Sequence, residues 1–227
     1  VAEYTVALML SLNRKIPRAS WRTKDGNFSL HGLMGFDMHG KTAGIIGTGK
    51  IAKILIHILK GFGMNILAYD LYPDYNFARE EKIVYTSLDE LYHSSDIISL
   101  HCPLTEATKY LINDYSISKM KDGVMIINTG RGQLIHTNAL IEGLKNKKIG
   151  SAGLDVYEEE SEYFYEDQSD RIIDDDVLAR LLSFNNVIVT SHQAFFTHEA
   201  LENIAMTTLQ NIRDFINHKP LLNEVKK

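Results

Sequence analysis

The stretch TAGIIGTGKIA, residues 42–52, decides the fold of this chain. Its first five residues predict a short buried strand, and the apolar spacing over 50–62 predicts an amphipathic helix. Between them, Gly47-Thr48-Gly49-Lys50-Ile51-Ala52 has the G-x-G-x-x-A spacing of a dinucleotide-binding turn. The first glycine of such a turn permits a sharp bend, and the second lets the backbone approach a pyrophosphate at the helix N-terminus.

A competing motif overlaps this turn, because Gly44 through Lys50 also spells the G-x-x-x-x-G-K of a P-loop. Ile51 follows, where a P-loop needs Ser or Thr to bind Mg²⁺. Asp70 favours the dinucleotide interpretation, since it lies at the end of the predicted strand 65–69, where an acid binds the ribose hydroxyls. A carboxylate there repels a 2′-phosphate, so we predict NAD rather than NADP. In the alternative, the glycines form an ordinary turn and Asp70 caps a strand.

Outward from the turn, predicted strands alternate with predicted helices. The strands are 42–46, 65–69, 96–100, 124–128, 150–156 and 187–190, and the helices are 50–62, 88–93, 113–119, 138–145, 175–182 and 199–215. This alternation predicts a Rossmann-type α/β fold, a doubly wound parallel sheet covered on both faces. Residues 1–15 predict an apolar helix buried in a subunit interface, and 16–38 a loop arm.

Composition excludes several classes of protein. The 227 residues are 44% hydrophobic and 23% charged, which is typical of a globular protein. A net charge of -5 argues against nucleic-acid binding, and no stretch is apolar enough to suggest a membrane partner. The single cysteine, Cys102, excludes an internal disulfide and suits a cytoplasmic location. Acidic residues crowd 155–176, which we interpret as a solvated surface insertion beyond Glu160.

Three charged residues follow three different predicted strands: Arg131, Glu160 and His192. An arginine can bind a carboxylate bidentately, and a histidine can exchange a proton near neutral pH. A carboxylate beside the histidine favours its imidazolium form. Taken singly, each also fits an ordinary surface role, and Glu158 or Glu159 fits the spacing as well as Glu160. His101, which ends the strand 96–100, is predicted to line a cofactor pocket rather than to react.

The motifs together resemble the D-isomer-specific 2-hydroxyacid dehydrogenases. The resemblance is carried by GTGKIA (47–52), Asp70, SLHCPLT (99–105), NTGRG (128–132), GLDVYEEE (153–160) and SHQAFFT (191–197). The run 163–197 is similar to the D-lactate dehydrogenase branch. The resemblance implies an NAD-binding domain over 1–196 and a segment, 197–227, that returns to a mostly absent flavodoxin-like substrate domain. We therefore expect the chain to be truncated, to bind NAD and to turn over poorly.

The resemblance also implies residue roles. Arg131 binds the substrate, His192 protonates the carbonyl oxygen of pyruvate while NADH delivers hydride, and Glu160 supports His192. Asp155 is placed at the nicotinamide carboxamide and Phe195 at the substrate methyl group. The residues predicted to bind NAD are Gly47, Thr48, Gly49, Lys50, Ile51, Asp70, His101, Cys102, Pro103, Thr129, Gly130, Asp155 and His192. No metal is predicted.

The implied reaction is reversible reduction of pyruvate to D-lactate by a homodimer that associates through residues 1–39. Related substrates are alternatives: hydroxyisocaproate, phosphoglycerate and hydroxypyruvate or glyoxylate. A formate dehydrogenase is disfavoured by Glu160, where that class typically has Gln. An alternative of another kind is an NAD(H)-sensing corepressor of the same fold.

Overall fold

The computed structural model describes residues 1–159, 167, 169–170 and 172–224. These residues form two compact units, Val1–His192 and Gln193–Lys227. The break falls just before the boundary predicted at residue 196. Whether the first unit is the whole NAD-binding domain and the second returns to a substrate domain stays a prediction.

The first unit is built on a parallel sheet. Among the described residues its strands lie in the order β3-β2-β1-β4-β5-β6-β7, and every neighbouring pair is parallel. The strands are β1 Thr42–Ile46, β2 Asn65–Tyr69, β3 Val84–Tyr85, β4 Ile97–Leu100, β5 Val124–Asn128, β6 Ile149–Leu154 and β7 Val187–Val189. The chain order reverses between β1 and β4, and ligands of open α/β sheets bind at such a switch point. The predicted Rossmann-type fold is confirmed.

Helices cover both faces of this sheet. They are α1 Ala2–Asn13, α2 Ile16–Lys24, α3 Lys50–Gly61, α4 Tyr75–Glu81, α5 Leu88–Ser94, α6 Asp114–Lys119, α7 Thr137–Lys145 and α8 Asp176–Leu182, with a 3-10 turn at Gly132–Leu134. One apolar cluster joins α1 and α3 to the sheet, and the other joins α5, α6, α7 and α8 to the opposite face. Apolar packing therefore covers both faces of the sheet.

Helix α1 is buried largely within its own unit. Its apolar stripe packs against α3 and the sheet, with Met9 fully buried and Leu8 nearly so. Each such side chain contributes roughly 1.5–3 kcal/mol through removal from water. The predicted burial of residues 1–15 is therefore explained by the sheet face that they cover, and it does not require a subunit interface.

The loop predicted over 16–38 was wrong in its first part, because Ile16–Lys24 forms α2. Pro17 lies in the first turn of α2, where proline is favoured because its missing N–H has no partner to lose. Helix α4 and strand β3 were not predicted. Asp74 begins α4 by accepting a hydrogen bond from the Phe77 amide at 3.1 Å, and β3 is too short to show a period.

The second unit contains the helix α9, His198–Ile216. Thr197 caps it by accepting a hydrogen bond from the Ala200 amide at 3.2 Å. No α9 residue is buried, although large apolar side chains recur along it: Leu201, Ile204, Met206, Leu209, Ile212 and Phe215. Across the part of the chain that the structure describes, no helix is both long and apolar enough to cross a membrane.

Candidate active site

The glycine turn between β1 and α3 has the geometry that its sequence predicts. Gly47 has φ 89°, and an added Cβ would lie 2.5 Å from the Cys102 amide nitrogen. Only glycine fits there without displacing the backbone after β4. At Gly49 an added Cβ would meet no atom within 4 Å, so this residue faces open space.

The first turn of α3 begins at that open space. It contains no acidic residue, and the N-cap Gly49 provides no side-chain hydrogen bond. Its amide groups are therefore available to an anion, which the positive end of the helix dipole also favours. Ala52, the third small residue of the motif, is fully buried and keeps α3 close to the sheet.

Asp70 lies at the end of β2, beside this turn, and its carboxylate is held in place. Oδ2 accepts hydrogen bonds from the Thr48 amide at 2.6 Å and the Thr48 hydroxyl at 2.9 Å, and Oδ1 accepts from the Tyr72 amide at 2.9 Å. Partial burial opposes ionisation, but these donors outweigh it and lower the pKa of Asp70. An ionised, oriented carboxylate is what recognition of ribose hydroxyls requires.

His101 and Cys102 follow β4, across the switch point from the glycine turn. The His101 amide donates to the Ile46 carbonyl at 2.7 Å, and its Nε2 lies 2.8 Å from Ser99 Oγ. Burial lowers the pKa of His101 to about 4 and raises the pKa of the Cys102 thiol to about 11. Both side chains are therefore neutral at neutral pH, which suits a pocket wall better than proton transfer. Pro103, next in the chain, is exposed.

Three neighbouring strands bring the other predicted site residues to one edge. The Asp155 amide after β6 donates to the Asn128 carbonyl at the end of β5, at 2.9 Å. The His192 amide after β7 donates in turn to the Asp155 carbonyl at 2.7 Å. The segments that carry Arg131, Asp155 and His192 are thus joined at the carboxyl edge of the sheet.

Arg131 lies in a turn held by a buried asparagine. Asn128 donates from Nδ2 to the Arg131 carbonyl at 2.9 Å, and its Oδ1 accepts from the Gly130 amide at 3.0 Å. The Arg131 side chain is exposed, with Nη1 donating to the Gly130 carbonyl at 2.8 Å. Thr129, just before it, is buried and lies 3.0 Å from the Thr5 hydroxyl of α1, oxygen to oxygen.

The turn of Arg131 also packs tightly on the segment after β6. An added Cβ at Gly132 would lie 1.9 Å from the Tyr157 carbonyl oxygen, so the two backbones are in direct contact. This contact sets the distance between the turn of Arg131 and the segment that follows β6.

Asp155 is completely buried at the base of this edge. Thr190, between β7 and His192, donates to Asp155 Oδ1 at 2.6 Å. His192 has φ 52°, the left-handed conformation that non-glycine residues rarely adopt. Such strain is found most often at functional sites.

Of the glutamates that could serve at the end of the motif GLDVYEEE, Glu158 has contacts that fix its position. Glu158 binds the Tyr110 hydroxyl through Oε1, and its Oε2 accepts from the Thr137 hydroxyl at 2.8 Å. The bond to Glu158 raises the pKa of Tyr110. Glu158 is thereby used in fixing its own loop to α7. Glu160 lies outside the described residues, so its predicted role stays a prediction.

Phe195 belongs to the second unit, where its ring packs edge-on against Phe196 with centroids 6.0 Å apart. Lys50 and Ile51 are exposed at the start of α3.

Three residues that support the site were not predicted from the sequence: Asn128, Thr190 and Tyr85. Asn128 had a detectable signal, because Asn before a glycine turn commonly bonds its own backbone two residues on. Among the residues that the structure describes, no group of His, Cys, Asp and Glu side chains could hold a metal ion.

The fold and the site define a dinucleotide-binding domain of the kind found in dehydrogenases. Residues 6–194 match the family model "D-isomer specific 2-hydroxyacid dehydrogenase, NAD binding domain". The chain belongs to this family, and its cofactor is NAD. The open space at Gly49, the uncapped start of α3 and the oriented Asp70 carboxylate fit that cofactor.

Individual relatives agree with this assignment. The D-lactate dehydrogenase of Escherichia coli (strain K12) is 53% identical over 99% of this chain and 68% of its own length. The pyruvate reductase of Chlamydomonas reinhardtii superimposes with a TM-score of 0.94 at 46% identity, over 98% of this chain and 67% of its own.

A third comparison includes the cofactor. The D-lactate dehydrogenase of Lactobacillus jensenii, solved with NAD⁺, gives a TM-score of 0.88 at 32% identity over 100% of this chain and 68% of its own. This chain therefore spans about two thirds of the length of these relatives, and of others only 64%.

Proposed function

We propose that the protein from which this chain comes is an NAD-dependent D-lactate dehydrogenase that reduces pyruvate to D-lactate reversibly. The observation that carries the proposal is the pair of backbone hydrogen bonds that joins the ends of β5, β6 and β7, at 2.9 and 2.7 Å. They join the segments bearing Arg131, Asp155 and His192 at the carboxyl edge of the sheet to which β1 and its glycine turn also belong. The substrate is inferred from the relatives, which are named as a D-lactate dehydrogenase and a pyruvate reductase.

Each residue has a definite task in this proposal. Arg131 is exposed and is held by its turn. Its guanidinium donates two hydrogen bonds to the 2-oxo acid, one to the carboxylate and one to the carbonyl oxygen. NADH bound at the glycine turn and Asp70 would supply the hydride that reduces the carbonyl carbon. His192 gives a proton to the carbonyl oxygen, and Glu160 stabilises the imidazolium form that must be present beforehand. Asp155, fixed by Thr190, accepts a hydrogen bond from the carboxamide of the nicotinamide.

The test is a panel of 2-oxo acids with NADH and the full-length protein. The panel contains pyruvate, 2-oxoisocaproate, hydroxypyruvate, glyoxylate and phosphohydroxypyruvate, and the lactate formed is assayed with D- and L-specific enzymes. We expect the highest kcat/KM with pyruvate and D-lactate as the product. A higher kcat/KM for another acid would replace the substrate, and L-lactate would contradict the proposed stereochemistry. Tight NADH binding without turnover of any acid would instead favour the corepressor.

We also propose that the 227-residue chain alone binds NADH but reduces pyruvate poorly. The support is α9, because its large apolar side chains are exposed. This exposure is expected of a helix that packs on a part of the full-length protein outside this chain. Titration of the chain with NADH should show saturable binding, with kcat at least about 100-fold below that of the full-length protein. Equal kcat would contradict this proposal.

We infer a homodimer that associates through residues 1–39, and mainly through the arm, residues 16–38. The Arg22 guanidinium stabilises the arm by donating hydrogen bonds to the His31 carbonyl at 2.8 Å and to the Ser29 carbonyl at 2.9 Å. The fixed arm nevertheless leaves Leu30 83% and Met34 87% exposed. Ordered apolar surface of this kind is typical of an interface.

Sedimentation of the full-length protein tests the dimer. Leu30→Asp should weaken association by about tenfold or more, whereas Tyr115→Glu, at an exposed aromatic residue on α6, should not. A wild-type monomer at micromolar concentration would contradict the inference. A cytoplasmic location is proposed from the single cysteine and awaits direct localisation.

A further inference from the structure

A hydrogen-bond chain extends behind the cofactor turn to a residue on β3. The Tyr85 hydroxyl donates to Thr48 Oγ1 at 2.8 Å, and Thr48 Oγ1 donates to Asp70 Oδ2 at 2.9 Å. Tyr85 lies at the edge of the sheet and Thr48 inside the glycine turn. The two residues are 37 positions apart in sequence.

The direction in which these hydrogen bonds donate is set at Tyr85. The Asp74 amide donates to the Tyr85 hydroxyl oxygen at 3.2 Å, so the tyrosine proton points toward Thr48. The threonine proton then points toward Asp70, which as a carboxylate can only accept. Asp74 is itself fixed by Lys53, with Nζ 2.5 Å from Oδ2. Hydrogen bonds aligned in one direction strengthen one another.

We propose that Tyr85 is a positioning residue for NAD, which acts through Thr48 to hold the Asp70 carboxylate in the orientation that binds the adenosine ribose. The proposal rests on the role proposed for Asp70 and extends it to a residue outside the set predicted to bind NAD. The half-buried Tyr85 ring packs edge-on against Tyr75 with centroids 5.8 Å apart, so its hydroxyl is held at a fixed place.

This arrangement has a consequence for cofactor selectivity. A carboxylate with one fixed orientation binds the ribose hydroxyls without losing side-chain freedom, and it presents its charge where a 2′-phosphate would lie. A carboxylate that can turn away binds NADH less well, and it also repels the 2′-phosphate of NADPH less. Loss of the Tyr85 hydroxyl should therefore affect the two cofactors differently.

The experiment measures dissociation constants of NADH and NADPH for the full-length protein by fluorescence titration. The variants are Tyr85→Phe, Thr48→Val and the double variant, and each retains the shape of the side chain. Tyr75→Phe is the matched control, because Tyr75 shares the aromatic contact while its hydroxyl makes no hydrogen bond within the described residues. Thermal unfolding of each variant reports any general loss of stability.

We expect Tyr85→Phe to raise the Kd of NADH about five- to tenfold, in line with loss of one hydrogen bond, while the Kd of NADPH rises less or falls. The preference for NADH should drop by a similar factor, with kcat at saturating NADH unchanged. The double variant should be no worse than the more damaged single variant, because both act on one chain of hydrogen bonds. Tyr75→Phe should match the wild type.

Two results would overturn the proposal without affecting the proposed enzyme. One is an unchanged Kd of NADH in Tyr85→Phe. The other is an equal rise for NADH and NADPH, which would indicate a merely structural tyrosine. A wild-type protein that binds no NADH would contradict the role of Asp70 and, with it, the role of Tyr85.

Discussion

The amide of His192 donates a hydrogen bond to the backbone carbonyl oxygen of Asp155 at 2.7 Å, and so ties the backbone of the proposed proton donor to that of a buried aspartate. The bond joins the end of β7 to the end of β6. His192 adopts φ 52° in making it. The position of the histidine is thus set by the backbone of its neighbour, and changes in that neighbourhood should alter catalysis or stability in specific ways.

Gly132→Ala should reduce kcat/KM for pyruvate by about 100-fold, since displacement of a binding group by about an ångström has an effect of this size. The new Cβ would overlap the Tyr157 carbonyl oxygen at 1.9 Å and would move Arg131 away from its site. Steady-state kinetics of the full-length protein measures the effect. Gly61→Ala is the control, because its Cβ would meet no atom within 4 Å. Equal kcat/KM for both variants would disprove the tight contact.

Thr190→Val should lower the free energy of unfolding by about 1–3 kcal/mol, because it removes the hydroxyl that donates to the buried Asp155 carboxylate at 2.6 Å. Urea denaturation measures the change. Thr208→Val removes a hydroxyl from the exposed face of α9 and should change the stability by less than about 0.5 kcal/mol. Similar values for the two variants would indicate that the Thr190 bond contributes nothing.

Stability should fall as the pH falls from 6.5 to 4, in part because of His101. Burial lowers the folded-state pKa of His101 to about 4 from the ordinary 6.5, so in this window the unfolded chain binds a proton that the folded chain does not. Between pH 7 and 4.5 the wild type should lose about 2 kcal/mol more than His101→Gln. Urea denaturation at both pH values tests this, with the exposed His31→Gln as a control. Parallel losses in wild type and His101→Gln would contradict it.

Cys102 should react slowly with thiol reagents. Burial raises its pKa to about 11, so the thiolate fraction at pH 7.5 is about 100-fold lower than at the ordinary pKa of 9.0. Alkylation by iodoacetamide, followed by mass spectrometry, should be at least that much slower in the folded chain than in urea. Cys102 is the single cysteine of the chain, so one adduct reports the reaction. Rapid labelling of the folded protein would contradict the raised pKa of this half-buried thiol.

The sequence was sufficient for features that depend on local spacing. The glycines at 47 and 49, the acid at 70 and the alternation of strands and helices all lie within short windows. The supporting contacts could not be predicted in this way, because Tyr85 meets Thr48 across 37 residues and Thr190 meets Asp155 across 35. Such pairs depend on which strands are neighbours, and β3, with two residues, has no detectable period.

The most direct test of the central claim, that three adjacent strand ends form an acid–base site, is the kcat of His192→Asn in the full-length protein. Asparagine tolerates the left-handed backbone at residue 192, so the variant removes the imidazole with little added strain. We predict that kcat for pyruvate reduction at saturating NADH falls by about 10²–10⁴-fold. An unchanged kcat would contradict the account.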